Sequence, residues 1–528
     1  MSPDAFTHPL LAGDSATVRR LASGSTDPRS VAALAFAHIL DSDFDAAIAI
    51  ATSAPPVAEG SIAALEINAV RILGNAMAGT SQADLGELSD RVAASGPLRL
   101  QEGAWAVCMV GEAGMSTGRL DVAERVALRL VEVLPPEDPH RVFAGQTAAR
   151  ALLFQGRLPA AAELATQTLP LASRHDLVAL RLVLRGTLAY IAALREDRDA
   201  LRECVDEVES FAGACPPGYL VSGAFVLSAY ALAAAGQGVR ASELLLAGAG
   251  GPELTALQNL DRAYGYELLV TAALTTSDLA AARAWADRAA TVPTGSSEMT
   301  AAALHRITAR IAVAEGDHRT SAALAEIAAE LAHGTSGHLD ATRARLMAGS
   351  ALLHDSDPAG AQARLRDAGV DATQMGAASL SMLARRDLRS IGLRFTGVAQ
   401  EPMSRREREV AEFVLAGSTN AQIARALGVS ERTVHSHVSG VLRALGVPSR
   451  AALATGLGMD EAPSADSWAL LTPRQQDVAR LVSRGYTNDG IARELRVSAK
   501  TVEKHLGDCY RRLEVDSRAA MTARLNGR

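Results

Sequence analysis

A turn returns with near-constant spacing through most of this 528-residue chain. Polar or Gly-rich turns fall near Asp43, Thr80, Gly118, Arg157, Asp197, Gln237, Ser277, Asp317 and Ser356, with successive gaps of 37, 38, 39, 40, 40, 40, 40 and 39 residues. Each is flanked by Ala-rich apolar stretches of helical period, as in QGRLPAAAELA and TTSDLAAARAWA. A period of this size leaves few folds open. Each unit is a helical hairpin too small to bury its own apolar face, so it must stack on its neighbours. Only 4% of residues are aromatic while 48% are hydrophobic, which favours closely packed helices over a sandwich or barrel.

Half a period from the turns lie Pro- and Gly-rich breaks, SAPPVAEG, SGPLR, LPPEDPH, GACPPGY, GAGGPE, VPTGSS and HGTSGH, which end one hairpin and open the next. On these grounds residues 1–395 resemble tetratricopeptide-like (TPR-like) arrays, although the period is longer than the usual one. A stack of this kind winds into a superhelix, and its concave groove is expected to take a small molecule, a peptide or a partner protein.

The C-terminal part follows a different rule and states it twice. Ser430–Leu445, SERTVHSHVSGVLRAL, and Ser498–Leu513, SAKTVEKHLGDCYRRL, each divide into two faces on a helix. Val434, Val438, Val441 and Leu445, or Val502, Leu506, Cys509 and Leu513, are expected inside. Arg432, His435, Ser436, Ser439 and Arg443, or Lys500, Glu503, Lys504, Gly507 and Arg511, form the outer stripe, a set of hydrogen-bonding groups suited to base-pair edges. Before each stripe comes a shorter helix and a tight turn, with Ala424 and Gly428 in the first copy and Ala492 and Arg496 in the second. Ser430 and Ser498 stand where an N-cap is needed. Each unit also opens on a helix-start signal, Ser404-Arg-Arg-Glu407 or Thr472-Pro-Arg-Gln475.

Read whole, MSRREREVAEFVLAGSTNAQIARALGVSERTVHSHVSGVLRALGVPSR and LTPRQQDVARLVSRGYTNDGIARELRVSAKTVEKHLGDCYRRLEVDSR resemble the LuxR-type (GerE-like) DNA-binding domain of bacterial transcription regulators. The resemblance implies two four-helix domains, each with a recognition helix for the major groove of double-stranded DNA. It implies base-facing positions at His435, Ser436 and Ser439 and at Glu503, Lys504 and Gly507, with phosphate contacts at Arg432, Thr433, Lys500 and Thr501. Three departures stand out: His435 replaces a frequent Lys or Glu, Gly507 offers no side chain, and Glu514 replaces a common Gly. They point to a first head of weaker or different sequence preference.

The expected organisation is therefore all-α: a TPR-like helical-hairpin solenoid over 1–395, LuxR-type helix-turn-helix domains at 403–455 and 469–528, and a flexible linker at 456–468. The polar run TGLGMDEAPSADS spans 13 residues and can extend to ~40 Å, enough for the ~34 Å between half-sites one duplex turn apart. Two heads in one chain do what this family usually assigns to two protomers, and a homodimer stays compatible with the pattern.

Charge and lysine usage narrow the function further. The net charge of -7 conceals +4 from residue 401 onward (19 basic, 15 acidic) and -11 before it, so an acidic body is joined to basic heads. Lys500 and Lys504 are the only lysines among 52 basic residues. Residues 1–499 therefore hold no lysine for a P-loop, a phospho-receiver or a Schiff base, and GEAGMSTGR at 111–119 reads as a turn between helices. Four cysteines lack paired spacing and the N-terminus lacks an apolar signal core, which places the chain in a reducing cytoplasm. The uncharged Tyr219–Ala235 is short for a membrane span and is expected to be a repeat helix. His333 and His338 read as loop residues without further metal ligands, and Trp105, Trp285, Tyr264 and Tyr266 as core. No enzyme signature and no cofactor is expected. The function these features imply is a transcriptional regulator whose body senses a ligand or partner; the competing reading is a TPR-like interaction scaffold tethered by its helix-turn-helix units to DNA or to another regulator.

Overall fold

In the computed structural model the aspartates that mark the turns serve two helices at once. The N–H of Asp43, Asp197, Asp278 and Asp317 each reaches the carbonyl five residues back (His38, Ala192, Ala273, Ala312) at 2.8–2.9 Å, closing the preceding helix. Their side chains then accept from the N–H of Ala46, Ala200, Ala281 and Thr320 at 2.9–3.2 Å, capping the helix that follows. Such a turn needs one left-handed residue just before the cap. Ser42, Glu196 and Ser277 supply it at φ +62 to +64°.

The structure describes residues 4–80, 84–211, 218–295, 297–355 and 357–390, then 405–415, 418, 420–431, 433–434, 437–438, 470–483, 491–492, 495, 497–513, 515 and 521. All described secondary structure is helical. The chain divides into two compact units, Met1–Ile391 and Gly392–Arg528.

In the first unit α1 (Asp4–Ala12) pairs with α2 (Ser15–Ala22), α3 (Pro28–Leu40) with α4 (Phe44–Thr52), and α5 (Ile62–Ala78) with α6 (Leu85–Ala93). After a short α7 (Pro97–Glu102) come α8 (Ala104–Thr117) with α9 (Leu120–Val133), α10 (His140–Phe154) with α11 (Leu158–Arg174), and α12 (Val178–Arg195) with α13 (Arg198–Ser210). The series continues with α14 (Tyr219–Ala234) and α15 (Gly238–Gly248), α16 (Asn259–Thr275) and α17 (Leu279–Ala289), and α18 (Glu298–Ala314) and α19 (His318–Gly334). It closes with α20 (His338–His354), α21 (Pro358–Met375) and a last helix, α22 (Ala378–Ser390). Eight of the nine expected turn positions fall between the two helices of a pair; the ninth, Ser356, lies outside the described residues.

Several details differ from the sequence reading. The first pair, α1 and α2, lies ahead of the first expected turn, and its helices are short. SGPLR opens the extra helix α7, with Pro97 at its first position. The break between α11 and α12 holds neither Pro nor Gly; Asp176 takes the left-handed conformation there, at φ +54°. Gly111–Thr117 is the buried second half of α8 rather than a turn, and only Gly118 and Arg119 link α8 to α9. Gly114 is required where it sits, because a Cβ would stand 2.9 Å from the Ala123 backbone nitrogen of α9. His333 lies in the last turn of α19 and His338 opens α20, so both are helix-end residues rather than loop residues, with ring centroids 5.2 Å apart. Among the described residues no group of three His, Cys, Asp or Glu is placed to hold a metal.

The sequence did not show how far apart in the chain the packed helices lie. First helices of successive pairs (α8, α10, α12, α14, α16) pack side by side as an inner layer, and this layer also meets helices many repeats away: α3 touches α14, α5 and α8 touch α16, and α10 touches α20. Ser42 Oγ donates to the Ala256 carbonyl at 2.8 Å across 214 residues of chain. Gly156, at φ +77°, packs so closely on α21 that a Cβ would fall 2.7 Å from Met375. The superhelix is thus wound tightly enough to bring distant repeats into contact. Deep inside, a void of about 20 Å³ lies between Arg150, Phe154, Tyr190, Tyr230, Asp261 and Tyr264, while a larger opening of about 570 Å³ is lined by Phe6, Arg29, Glu66, Trp105 and His140. All fourteen residues of α8 are buried.

Close packing within the inner layer explains the uncharged Tyr219–Ala235. It forms α14, 16 residues long and buried on nearly every side against α12 and α15. No described helix is long and apolar enough to cross a membrane. Trp105, Tyr264 and Tyr266 are buried as expected, while Trp285 is half-buried under the Arg288 guanidinium, 4.9 Å from its ring.

Candidate nucleic-acid interface

Of the second unit's helices, α23 (Arg405–Leu415) and α24 (Asn420–Leu427) belong to the first copy, and α25 (Pro473–Ser483) and α26 (Ala499–Arg512) to the second. Ile491 and Ala492 are described in a helix between α25 and α26.

The second copy starts with the reciprocal cap its sequence implies. Thr472 N–H donates to Gln475 Oε1 at 3.0 Å, and Gln475 N–H donates to Thr472 Oγ1 at 3.4 Å. The counterpart Ser404 lies outside the described residues. The helix-turn-helix corner is built alike in both copies: Val429 N–H reaches Ala424 O at 3.1 Å, and Val497 N–H reaches Ala492 O at 2.9 Å. Gly428 supplies the left-handed residue in the first, at φ +64°; Arg496, its counterpart, lies outside the described residues. Ser430 and Ser498 then cap the next helix, each accepting from the N–H three residues on (Thr433, Thr501) at 3.1 Å.

A further shared contact was not read from the sequence. Arg406 Nη2 donates to Leu427 O, and Arg474 Nη2 donates to Leu495 O, both at 2.7 Å and both across 21 residues. Each arginine ties the opening helix of its copy to the carbonyl end of the helix before the corner, where backbone acceptors have no helical partner. The available signal was positional: both arginines stand two residues after the opening cap and 21 before a Leu.

The inner face of the candidate recognition helix is as expected. Val502, Leu506, Cys509 and Leu513 join Val478, Val482 and Ile491 in one core, and Val434 and Val438 join Val410, Val414 and Ile423 in the other. Cys509 Sγ donates to the Gln475 carbonyl at 3.9 Å, and burial pushes its thiol up to about 11. With α26 fixed from behind, Lys500, Glu503 and Lys504 stand exposed on its outer face, beside partly exposed Thr501 and Gly507. Arg511, 80% exposed, is ion-paired with Asp508 one turn earlier. The Thr433 and Thr501 hydroxyls contact the cap serines, at 2.8 and 2.7 Å. In the first copy Thr433 is exposed; Arg432, His435, Ser436, Ser439 and Arg443 lie outside the described residues, as do Val441 and Leu445.

Chemically, the face of α26 offers two ammonium groups one turn apart with a carboxylate between them. Such groups can donate to phosphate or to guanine N7 and O6 and accept from the cytosine amino group. The capped N-terminus adds outward-pointing N–H groups and the positive end of the helix dipole, both suited to a phosphate.

Comparison with known proteins bears on these same residues. The model of the bacterial regulatory proteins of the luxR family (GerE) matches residues 401–456 and again 469–524. UhpA of Salmonella typhimurium, a transcriptional regulatory protein, is 39% identical over 64 residues, which are 12% of this chain and 33% of that protein. The spore germination protein GerE of Bacillus subtilis is 42% identical over 48 residues, 9% of this chain and 65% of its own length. A Mycobacterium tuberculosis protein named as an HTH-type transcriptional regulator is 46% identical over 57 residues, 11% of this chain and 6% of that protein. The chain therefore spans only a small part of the first of these relatives. The crystal structure of a Rap protein complexed with Competence and Sporulation Factor overlays 67% of this chain and all of its own, with a TM-score of 0.47 and 11% identity. Twice over, at residues 401–456 and 469–524, the chain carries the helix-turn-helix domain of the luxR family of bacterial regulatory proteins.

Proposed function

We propose that this protein is a sequence-specific transcriptional regulator of the cytoplasm, reading double-stranded DNA with two tandem heads under the control of its helical body. The observation that carries the reading is the outer face of α26, where the two lysines of the chain stand exposed on a helix anchored by a buried opposite face. Lys504 and Glu503 are assigned to base edges, and Lys500 and Thr501 to phosphates. Arg511, paired with Asp508, is assigned to the rim. His435, Ser436 and Ser439, with Arg432, Thr433 and Arg443, take the corresponding roles in the first head.

Because the two stripes differ, one chain should prefer an asymmetric operator. Tethering raises the effective concentration of the second head once the first is bound. Selection of bound sequences from random DNA by the full chain tests this. Two distinct half-motifs support it, whereas a single motif that persists after deletion of residues 401–456 removes the first head from the reading. Phosphate contacts also require affinity to fall with salt.

The acidic body supports a further element, restraint of the basic heads until the body is occupied. If residues 396–528 alone bind DNA no better than the full chain at matched salt, restraint is absent. The scaffold reading remains as the second one, resting on the large repeat body; it expects partner binding to survive Lys504→Ala and His435→Ala while DNA binding is lost.

A further inference from the structure

Among the openings of the first unit, one of about 370 Å³ lies near the C-terminal end of the repeats, among α16, α18, α20 and α22. That lies within the ~300–1,000 Å³ range of small-molecule sites. One side is apolar, formed by Leu274, Val313, Leu346, Met347, Leu380 and Leu383. Val313 and Leu383 remain 37% and 41% exposed.

The other side is cationic, through Arg310 and Arg343. Both belong to an ion cluster whose other members are nearly or wholly buried. Arg306 Nη2 lies 2.7 Å from Glu267, Arg343 lies 2.8 Å from Asp340 and 3.2 Å from Glu267, and Arg310 lies 3.3 Å from Glu267. At the rim Arg386 pairs with Asp387 at 2.9 Å. Four guanidiniums (Arg306, Arg310, Arg343, Arg386) thus face three carboxylates (Glu267, Asp340, Asp387), leaving one positive charge in excess. The excess is felt at Arg310, whose buried Nε has no hydrogen-bond partner while its side chain stays 26% exposed at the opening. Burial, with Arg343 and Arg306 close by, pushes Arg310 below the ordinary arginine value despite Glu267. An added anion would reverse that push.

The geometry points to a binding site for a small amphipathic monocarboxylate, its apolar chain along the Val313, Leu346 and Leu383 wall and its carboxylate at Arg310 and Arg343. One excess charge matches a monoanion, whereas a dianion would over-neutralise the cluster. Because α22 contributes Leu380, Leu383 and Arg386 and is the last described helix before the second unit, an occupant would bear on the segment leading to the heads. That regulatory consequence rests on the function proposed above; the binding itself does not.

The test is calorimetric titration of the full chain with octanoate and decanoate, with octan-1-ol as the neutral analogue. Saturable alkanoate binding about tenfold tighter than that of the alcohol is expected. Arg310→Met should weaken the alkanoates by about tenfold and leave the alcohol unchanged. Val313→Trp, at the exposed mouth, should abolish both. No saturable alkanoate binding, equal affinity for acid and alcohol, or indifference to Val313→Trp overturns the assignment. Should Arg310→Met fail to fold, the wild-type preference for acid over alcohol and the Val313→Trp result decide alone. A chain that binds DNA but no alkanoate refutes this site only; one that binds alkanoate here but no DNA refutes the regulatory reading only.

Discussion

Replacing Glu267 with Gln keeps the shape of the side chain and removes the charge that three guanidiniums share. Glu267 is buried and accepts from Arg306, Arg310, Arg343 and the Tyr230 hydroxyl. Breaking such a buried ion set by removing one partner costs ~3–5 kcal/mol, chiefly because the opposite charges are left uncompensated. With ~2.1 cal/mol/K of unfolding entropy per residue over the 391 residues of the unit, the transition carries ~0.8 kcal/mol/K. The melting temperature should therefore fall by ~4–6 °C, read by scanning calorimetry of the full chain. Glu267→Gln combined with Arg306→Met restores the charge balance and should recover part of the loss, a coupling that a double-mutant cycle isolates. The same substitution leaves the neighbouring cavity with a larger cationic excess, so octanoate should bind more tightly and raise the melting temperature of the variant more than that of the wild type.

Acid should act in the same direction as the mutation. Burial alone would raise the Glu267 carboxyl, but Arg306, Arg343 and Arg310 outweigh it and hold the group well below the carboxylate range. A carboxyl depressed in the folded state stabilises above its unfolded value of ~4.3, and that contribution is lost as the pH falls below it. Glu267→Gln should therefore flatten the stability profile between pH ~4.5 and ~2. A melting temperature within ~1 °C of wild type at neutral pH would refute the reasoning, since it would mean the cluster is solvated rather than mutually compensating.

Three other outcomes are expected. Lys504→Ala should weaken binding to the selected operator by roughly 5- to 150-fold in fluorescence anisotropy while leaving the melting temperature unchanged; an unchanged affinity removes Lys504 from the interface. Ser498→Ala deletes the cap of α26 and should cost ~1 kcal/mol locally, seen as about fivefold faster amide exchange in its first turn. Cys509, with its thiol pushed up to about 11 and packed against Gln475, should resist alkylation at pH ~8 in the native chain and react once the second head unfolds; labelling followed by mass spectrometry checks this.

The repeat body was legible because its turns are chemically expensive to vary. A left-handed residue followed by a capping Asp leaves a mark at Asp43, Asp197, Asp278 and Asp317 that survives while the helices between them drift in composition. Between α11 and α12 Asp176 takes the left-handed conformation but no capping Asp follows, and neither Pro nor Gly marks the break, so nothing there stood out in the sequence. In the second head the capping box, the cap serine and the buried stripe of Val502, Leu506 and Cys509 were each readable from spacing, because they are local. The Arg406 and Arg474 ties were missed because a side chain reaching a backbone carbonyl 21 residues away imposes no residue type on its acceptor. The contacts between distant repeats were missed for a related reason. Buried Tyr230, Tyr264 and Glu267 look in sequence like ordinary members of amphipathic helices, and only the pitch of the superhelix brings them together.

That pitch changes what kind of polymer the body is. An open array can be lengthened or trimmed one module at a time, since every module answers only to its immediate neighbours. Here the hydroxyl of Ser42 is held by a carbonyl more than two hundred residues downstream, and α10 leans on α20. Cropping the repeats from either terminus would strip support from modules in the middle, so the body should melt as a block, fold at the slower pace of a chain that must first bring distant segments together, and resist domain-by-domain dissection.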